Sequence, residues 1–151
     1  MSDANIAILR RWFEEVWNQK RRETIRELIS PDCISHDLND TGGDVRGPDG
    51  FEAFFDRLVA AFPDIHIVVE DCFASGDKVV GRYVATMTHT GDYMGLRASG
   101  SKATVTGITI IRMANGQCVE SWDSWDKLAM LHQVGGIQFL MPTAAAKSAA
   151  S

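Results

Sequence analysis

The chain has 151 residues, 45% hydrophobic and 23% charged, with a formal net charge of −5, which fits one domain with a core of its own. The acidic balance and scattered Lys and Arg exclude a nucleic-acid surface, which needs clustered cations to meet phosphates. No run approaches the ~20 apolar residues of a membrane span. Met1 to Asn5 carry no basic stretch leading into an apolar one, so no signal peptide is expected and the expected location is the cytoplasm.

Ile6, Leu9, Phe13, Val16 and Trp17 recur at three- and four-residue spacing, which predicts a first helix capped by Ser2 or Asp3. A second, over residues 21–29, carries Ile25, Leu28 and Ile29 on one side and stops at Ser30-Pro31-Asp32. Residues 33–37 read as a short strand and 39–46 as a polar loop. Gly47-Pro48-Asp49 opens a third helix with proline in its first turn, and Phe51, Phe54, Phe55, Leu58 and Val59 form its apolar stripe. Beyond Pro63 the period falls to two. Strands are predicted from Ile65 to a turn at Ser75-Gly76-Asp77, then over 78–89, 103–113 and 118–125, followed by a helix over 127–134. From Thr143 the chain is Ala, Ser and Lys without periodicity and is expected to be disordered, leaving one domain over 1–142. Helices first and hairpin-linked strands afterwards give an α+β fold, a cone-shaped, curved antiparallel sheet packed on about three helices around a pocket.

Cys33, Cys72 and Cys118 are widely spaced and lack metal-ligand spacing. They read as small buried hydrophobes in a reducing compartment, and no metal or cofactor is expected. No phosphate-cradling glycine loop, nucleophile elbow or H-E-x-x-H is present. What remains is proton-transfer chemistry. If the last strand is regular, Glu120, Trp122, Ser124 and Asp126 share one face, and Val119, Ser121, Asp123 and Trp125 the other. Asp126, at the turn into the last helix, is a helix cap on one reading and an acid/base group on the other. His89 ends the strand carrying Tyr83 and Met87; His36-Asp37 leads into the polar loop. Each histidine is a structural hydrogen-bonding residue or a functional one. Arg82, mid-strand, calls for an ion-pair partner or a dimer surface.

Several pieces in order complete the picture: Ala61-Phe62-Pro63-Asp64, residues 76–82, Thr88-His89-Thr90-Gly91 with Gly95, Asn115-Gly116, Glu120-Ser121-Trp122, Asp126, and residues 131–135. With His36-Asp37 and Gly47-Pro48-Asp49-Gly50 they resemble the SnoaL-like polyketide cyclase family, within the group sharing the nuclear transport factor two and ketosteroid isomerase fold. The resemblance covers residues 5–136. It implies ring closure by cofactor-free, acid/base-catalysed intramolecular aldol condensation of a hydrophobic carbonyl substrate. Carried over, Asp126 matches the acid/base aspartate, with His89 and His36 beside the developing enolate oxygen. Trp122, Phe51 and Phe55 would pack on a flat substrate, and Trp17, Tyr83 and Met87 would complete the lining. A homodimer through the exposed sheet face is also expected. The alternatives are a non-catalytic small-molecule binder, an isomerase or dehydratase, and an epoxide hydrolase using Arg82 between two aspartates.

Overall fold

The computed structural model describes residues 2–140; the disorder expected from Thr143 lies outside them. Helix α1 (Ser2–Arg11) continues into a π-helical segment, Trp12–Asn18, where a single regular helix was expected. The wider turns have a purpose. At 3.6 residues per turn, side chains five positions apart diverge by about 140°. A π turn closes one residue later and brings Trp12 and Trp17 to the same side, where both face the interior cavity.

Helix α2 (Glu23–Leu28) gives way at once to strand β1 (Ile29–His36). Ile29, expected to be helical, is extended at φ −104°, ψ 126°. The strand thus begins before Cys33 and runs through Pro31, which is tolerated because the β1–β6 register shifts between Ile29 and Ile34 and asks no ladder donor of it. Strand β2 (Val45–Arg46) falls where only loop was expected, because two residues carry no alternation to read. Helix α3 (Gly47–Ala61) buries Phe51, Phe54, Phe55 and Leu58. A meander follows: β3 (His66–Ser75), β4 (Lys78–Thr88), β5 (Lys102–Ala114) and β6 (Gln117–Trp125), then α4 (Lys127–Gln133). The β5–β6 turn has positive φ at both Asn115 and Gly116, 53° and 75°, as a two-residue hairpin loop of matching twist requires.

The six strands form one curved, unclosed sheet in the order β2-β1-β6-β5-β4-β3. One pair departs from the all-antiparallel expectation: β1 and β6 run parallel. The chain between them passes through α3 and the whole meander, long enough for the crossover a parallel pair needs. Burial alternates along β5, with Ala103, Val105, Thr109, Ile111 and Met113 inward. The helices pack on that inner face. The outer face carries Val68, Phe73, Ile108, Ile110 and Trp122, each at least 37% exposed. Among the described residues, no helix is long and apolar enough to cross a membrane.

Candidate active site

Between the inner sheet face and the helices lies a cavity of ≈80 Å³. Trp12, Phe13 and Trp17 of the π segment and Phe51, Phe54 and Leu58 of α3 form its helical wall; Met87, Val105 and Ile111 belong to the sheet side. Leu38 lines it as well. Its loop is pinned by Asp40, which accepts hydrogen bonds from Tyr93 Oη at 2.7 Å and Arg57 Nε at 3.0 Å.

The polar groups gather on the β1, β6, β5 and β4 side: Ser35, Ser121, Asp123, Thr109 and Tyr83. Ser121 Oγ donates to Ser35 Oγ at 3.0 Å, across the parallel pair. Tyr83 Oη donates to Asp123 Oδ1 at 2.8 Å, although β5 lies between their strands. Gly107 makes that reach possible. A Cβ there would sit 2.3 Å from Tyr83 Cζ, so the ring can cross β5 only over a residue without a side chain.

Asp123 is half-buried on β6 and lines the cavity. Among the described residues that line the cavity, none is Lys, Arg or His. Burial pushes its carboxyl up to about 6, against the opposing hydrogen bonds of the Tyr83 and Thr109 hydroxyls, which favour the charged form. A carboxyl of that pKa is mostly ionised at neutral pH yet basic enough to take a proton from an activated C–H. Burial and the neighbouring Asp123 charge push the Tyr83 hydroxyl far upward, so it stays protonated as a donor.

The residues expected from the sequence fall in different places. Trp17, Phe51, Tyr83 and Met87 line the cavity. Phe55 is buried behind that lining, its ring centroid 5.2 Å from that of Trp17. Trp122 lies on the outer face, stacked on His36 at 5.3 Å between ring centroids. His36 sits there too, its Nε2 at 2.7 Å from Glu120 Oε2. His89 is fully buried beside Phe62, outside the lining residues. Its Nδ1 accepts from the Ser99 N–H at 3.2 Å, and Nε2 has no partner among the described residues. Asp126 is exposed and caps α4, its Oδ1 accepting from the Ala129 N–H at 2.9 Å. Arg82 pairs with Glu70 at 2.8 Å on the outer face, so it cannot stand between two cavity aspartates as the epoxide-hydrolase alternative requires. Asp123, Thr109, Ser35 and Ser121 join the site unmarked by any catalytic motif in the sequence, and Trp12, an aromatic at helical spacing that reads first as core, lines it too.

The model of the SnoaL-like polyketide cyclase family matches residues 7–134. The chain belongs to that family. Among solved structures, IdmH of Streptomyces antibioticus, a candidate polyketide cyclase, is 32% identical over 85% of this chain and 96% of its own, with TM-score 0.75. A candidate SnoaL-like polyketide cyclase from Jannaschia sp. CCS1 is 28% identical over 91% and 95%, with TM-score 0.79. A Catenulispora acidiphila protein of ketosteroid isomerase-like fold, 18% identical over 85% and 92% with TM-score 0.72, is a likeness of fold alone. No curated protein matches the chain.

Proposed function

We propose that this SnoaL-like protein is an acid/base enzyme that closes a ring in a hydrophobic carbonyl compound by intramolecular aldol condensation. The observation that carries the reading is Asp123, a carboxyl raised to about 6 on the wall of an otherwise mainly apolar cavity. Asp123 removes a proton from a methylene flanked by electron-withdrawing groups, and the enolate carbon adds to a second carbonyl of the same molecule. Asp123 then returns the proton to the alkoxide. Tyr83 holds the carboxylate in place, and the Ser35 hydroxyl, which accepts from Ser121, is the donor on the same wall for the developing enolate oxygen. These steps use proton transfers alone and call on no cofactor. Asp126 supports them indirectly, by fixing the start of α4; His89 and His36 act outside the cavity lining.

A cavity of ≈80 Å³ is about half of one that holds a benzene molecule, roughly 150 Å³. A polyketide-sized substrate therefore requires the cavity to widen as it binds. The test is turnover and thermal stabilisation with a panel of polyketide esters on the wild type, Asp123→Asn and Asp126→Asn. Asp123→Asn is expected to bind but to lose rate by about 10²–10⁴-fold, with Asp126→Asn far less affected. Equal rates in the wild type and Asp123→Asn would leave a binding protein.

We also propose a homodimer through the outer sheet face, where Phe73 and Ile108 are 55% and 48% exposed. Exposed apolar surface of this kind marks an interaction site. Sedimentation at micromolar concentration should give the dimer mass for the wild type and the monomer mass for Ile108→Asp. A monomeric wild type would refute it.

A further inference from the structure

The sequence suggests three unrelated cysteines, but the fold brings two together. Cys33 Sγ on β1 and Cys118 Sγ on β6 lie 3.4 Å apart. Their meeting depends on the irregularity in the parallel pair. Ile29 is opposite Cys118 and Ile34 opposite Glu120, so five steps along β1 match two along β6. The surplus residues of β1 are left without ladder partners, as in a bulge, and Cys33 is turned inward, 1% exposed. Cys118 forms part of the cavity wall. Cys72 is on β3, at the far edge of the sheet from β1.

We propose that Cys33 and Cys118 form a redox-active dithiol in the cavity wall, which hydrogen peroxide oxidises to an intramolecular disulfide tying β1 to β6. A water-sized guest needs only about 10–15 Å³, so a cavity of ≈80 Å³ admits peroxide to the Cys118 sulfur and excludes bulky oxidants. The pair also makes a thiolate available. The hydrogen bond from Cys118 lowers the Cys33 thiol, and the same contact raises that of Cys118. Cys33 is thus the sulfur of the pair that ionises, and across 3.4 Å it can take the Cys118 proton as the cavity-facing sulfur reacts. The Ser35 and Ser121 hydroxyls beside the pair favour the charged form of each sulfur. A thiolate, not a thiol, is the species peroxide oxidises.

The Cys118 sulfur, passing its proton to the Cys33 thiolate, attacks one peroxide oxygen, the O–O bond breaks, and hydroxide leaves to become water with the proton that Cys33 released to solvent when it ionised. Cys118 is then a sulfenic acid. The Cys33 sulfur attacks the Cys118 sulfur; the S–S bond forms, the S–O bond breaks, and the hydroxyl leaves with the Cys33 proton as a second water. Two thiols have lost two hydrogens and one peroxide has become two waters. Ser35 and Ser121 lie on the strands so tied, so oxidation would fix the wall from which they project. A disulfide of this sort in a reducing compartment acts as a transient sensor rather than a permanent staple.

The test is graded hydrogen peroxide on the reduced full chain, then alkylation of the remaining thiols, intact mass and peptide mapping. The expected product has lost two hydrogens, retains a free Cys72, joins the Cys33 peptide to the Cys118 peptide, and is reversed by dithiothreitol. Cys72→Ser should behave identically. Cys33→Ser should instead stop at a Cys118 sulfenic acid, read in the intact mass and peptide map as the gain of one oxygen on the Cys118 peptide, and Cys118→Ser should leave Cys33 reduced. Oxidation confined to Cys72, an intermolecular disulfide, or a wild-type Cys118 sulfenic acid beside a free Cys33 would each overturn the proposal. So would no thiol loss at doses that oxidise free glutathione completely.

Discussion

Asp123 and Glu120 are carboxylates three residues apart on one strand, and they titrate in opposite directions. Glu120 faces outward, accepting from His36 at 2.7 Å and Arg112 at 3.1 Å, and the His36 hydrogen bond holds it below the ordinary range. Asp123 faces inward, with hydroxyls for partners and no cation among the described cavity lining, and burial raises it to about 6. The same chemical group becomes an ion-pair partner on one face and a proton-transfer group on the other. The side of the sheet, set by the two-residue period, decides which.

The sharpest way to break this contrast is through stability. Burial raises Asp123 from 3.8 to about 6, so between those values the folded chain binds more protons than the unfolded chain. Stability must then fall as pH rises through that window, by up to about 3 kcal/mol at 1.36 kcal/mol per unit of pKa. Asparagine keeps the shape and carries no charge. Asp123→Asn should therefore unfold at higher denaturant than the wild type at pH 8, with the gap closing towards pH 4. A gap of the same size at both pH values would mean that the carboxyl is not raised. The variant that should lose most of the activity is thus expected to gain stability, the usual trade at a catalytic site.

Gly107 sharpens the contrast by removing what holds Asp123 in place. A Cβ there would lie 2.3 Å from Tyr83 Cζ and 2.4 Å from its Oη. Gly107→Ala should cost about 1–3 kcal/mol through overpacking and break the 2.8 Å bond to Asp123. That bond favours the ionised carboxyl, so its loss raises the pKa and moves the acid limb of the pH–rate profile upward. Tyr83→Phe keeps the ring and removes only the hydroxyl. It should move the acid limb in the same direction with a smaller loss of stability. An unmoved acid limb in Tyr83→Phe would show that the bond does not set the titration.

How far the sequence could be read follows from the same alternation. The helices, the meander and the two faces of β6 were visible as periods of 3.6 and two, because each element buries one side. Which face of β6 met the cavity was harder, since Trp122 and Trp125 put an aromatic residue on each. A signal was present: Glu120 and Arg112, opposite each other in the β5–β6 ladder, mark the solvent side. Asp126 follows the last residue of β6, and there its side chain is taken up by the first turn of α4. The π segment was illegible, since apolar residues at three- and four-residue spacing fit an ordinary helix equally well. So was the meeting of Cys33 and Cys118, 85 residues apart, because it rests on a register shift that no local pattern encodes.

Glu120→Gln should have the smallest effect, and for that reason it tests the comparison most directly. The Glu120 hydrogen bond is the main cause that raises His36, with Asp44 at 3.6 Å adding to it. Neutralising Glu120 should lower the His36 pKa, read from its ring protons by NMR titration. The pair contributes stability only while Glu120 is ionised and His36 protonated. Its loss should therefore register between the ordinary carboxylate range and His36's raised pKa, and vanish above that pKa. Because the pair lies on the outer face, substrate turnover by the monomeric unit should be unchanged. If Glu120→Gln lowered turnover as Asp123→Asn is expected to, the outer carboxylate would belong to the reaction, and the division of labour between the two faces would be lost.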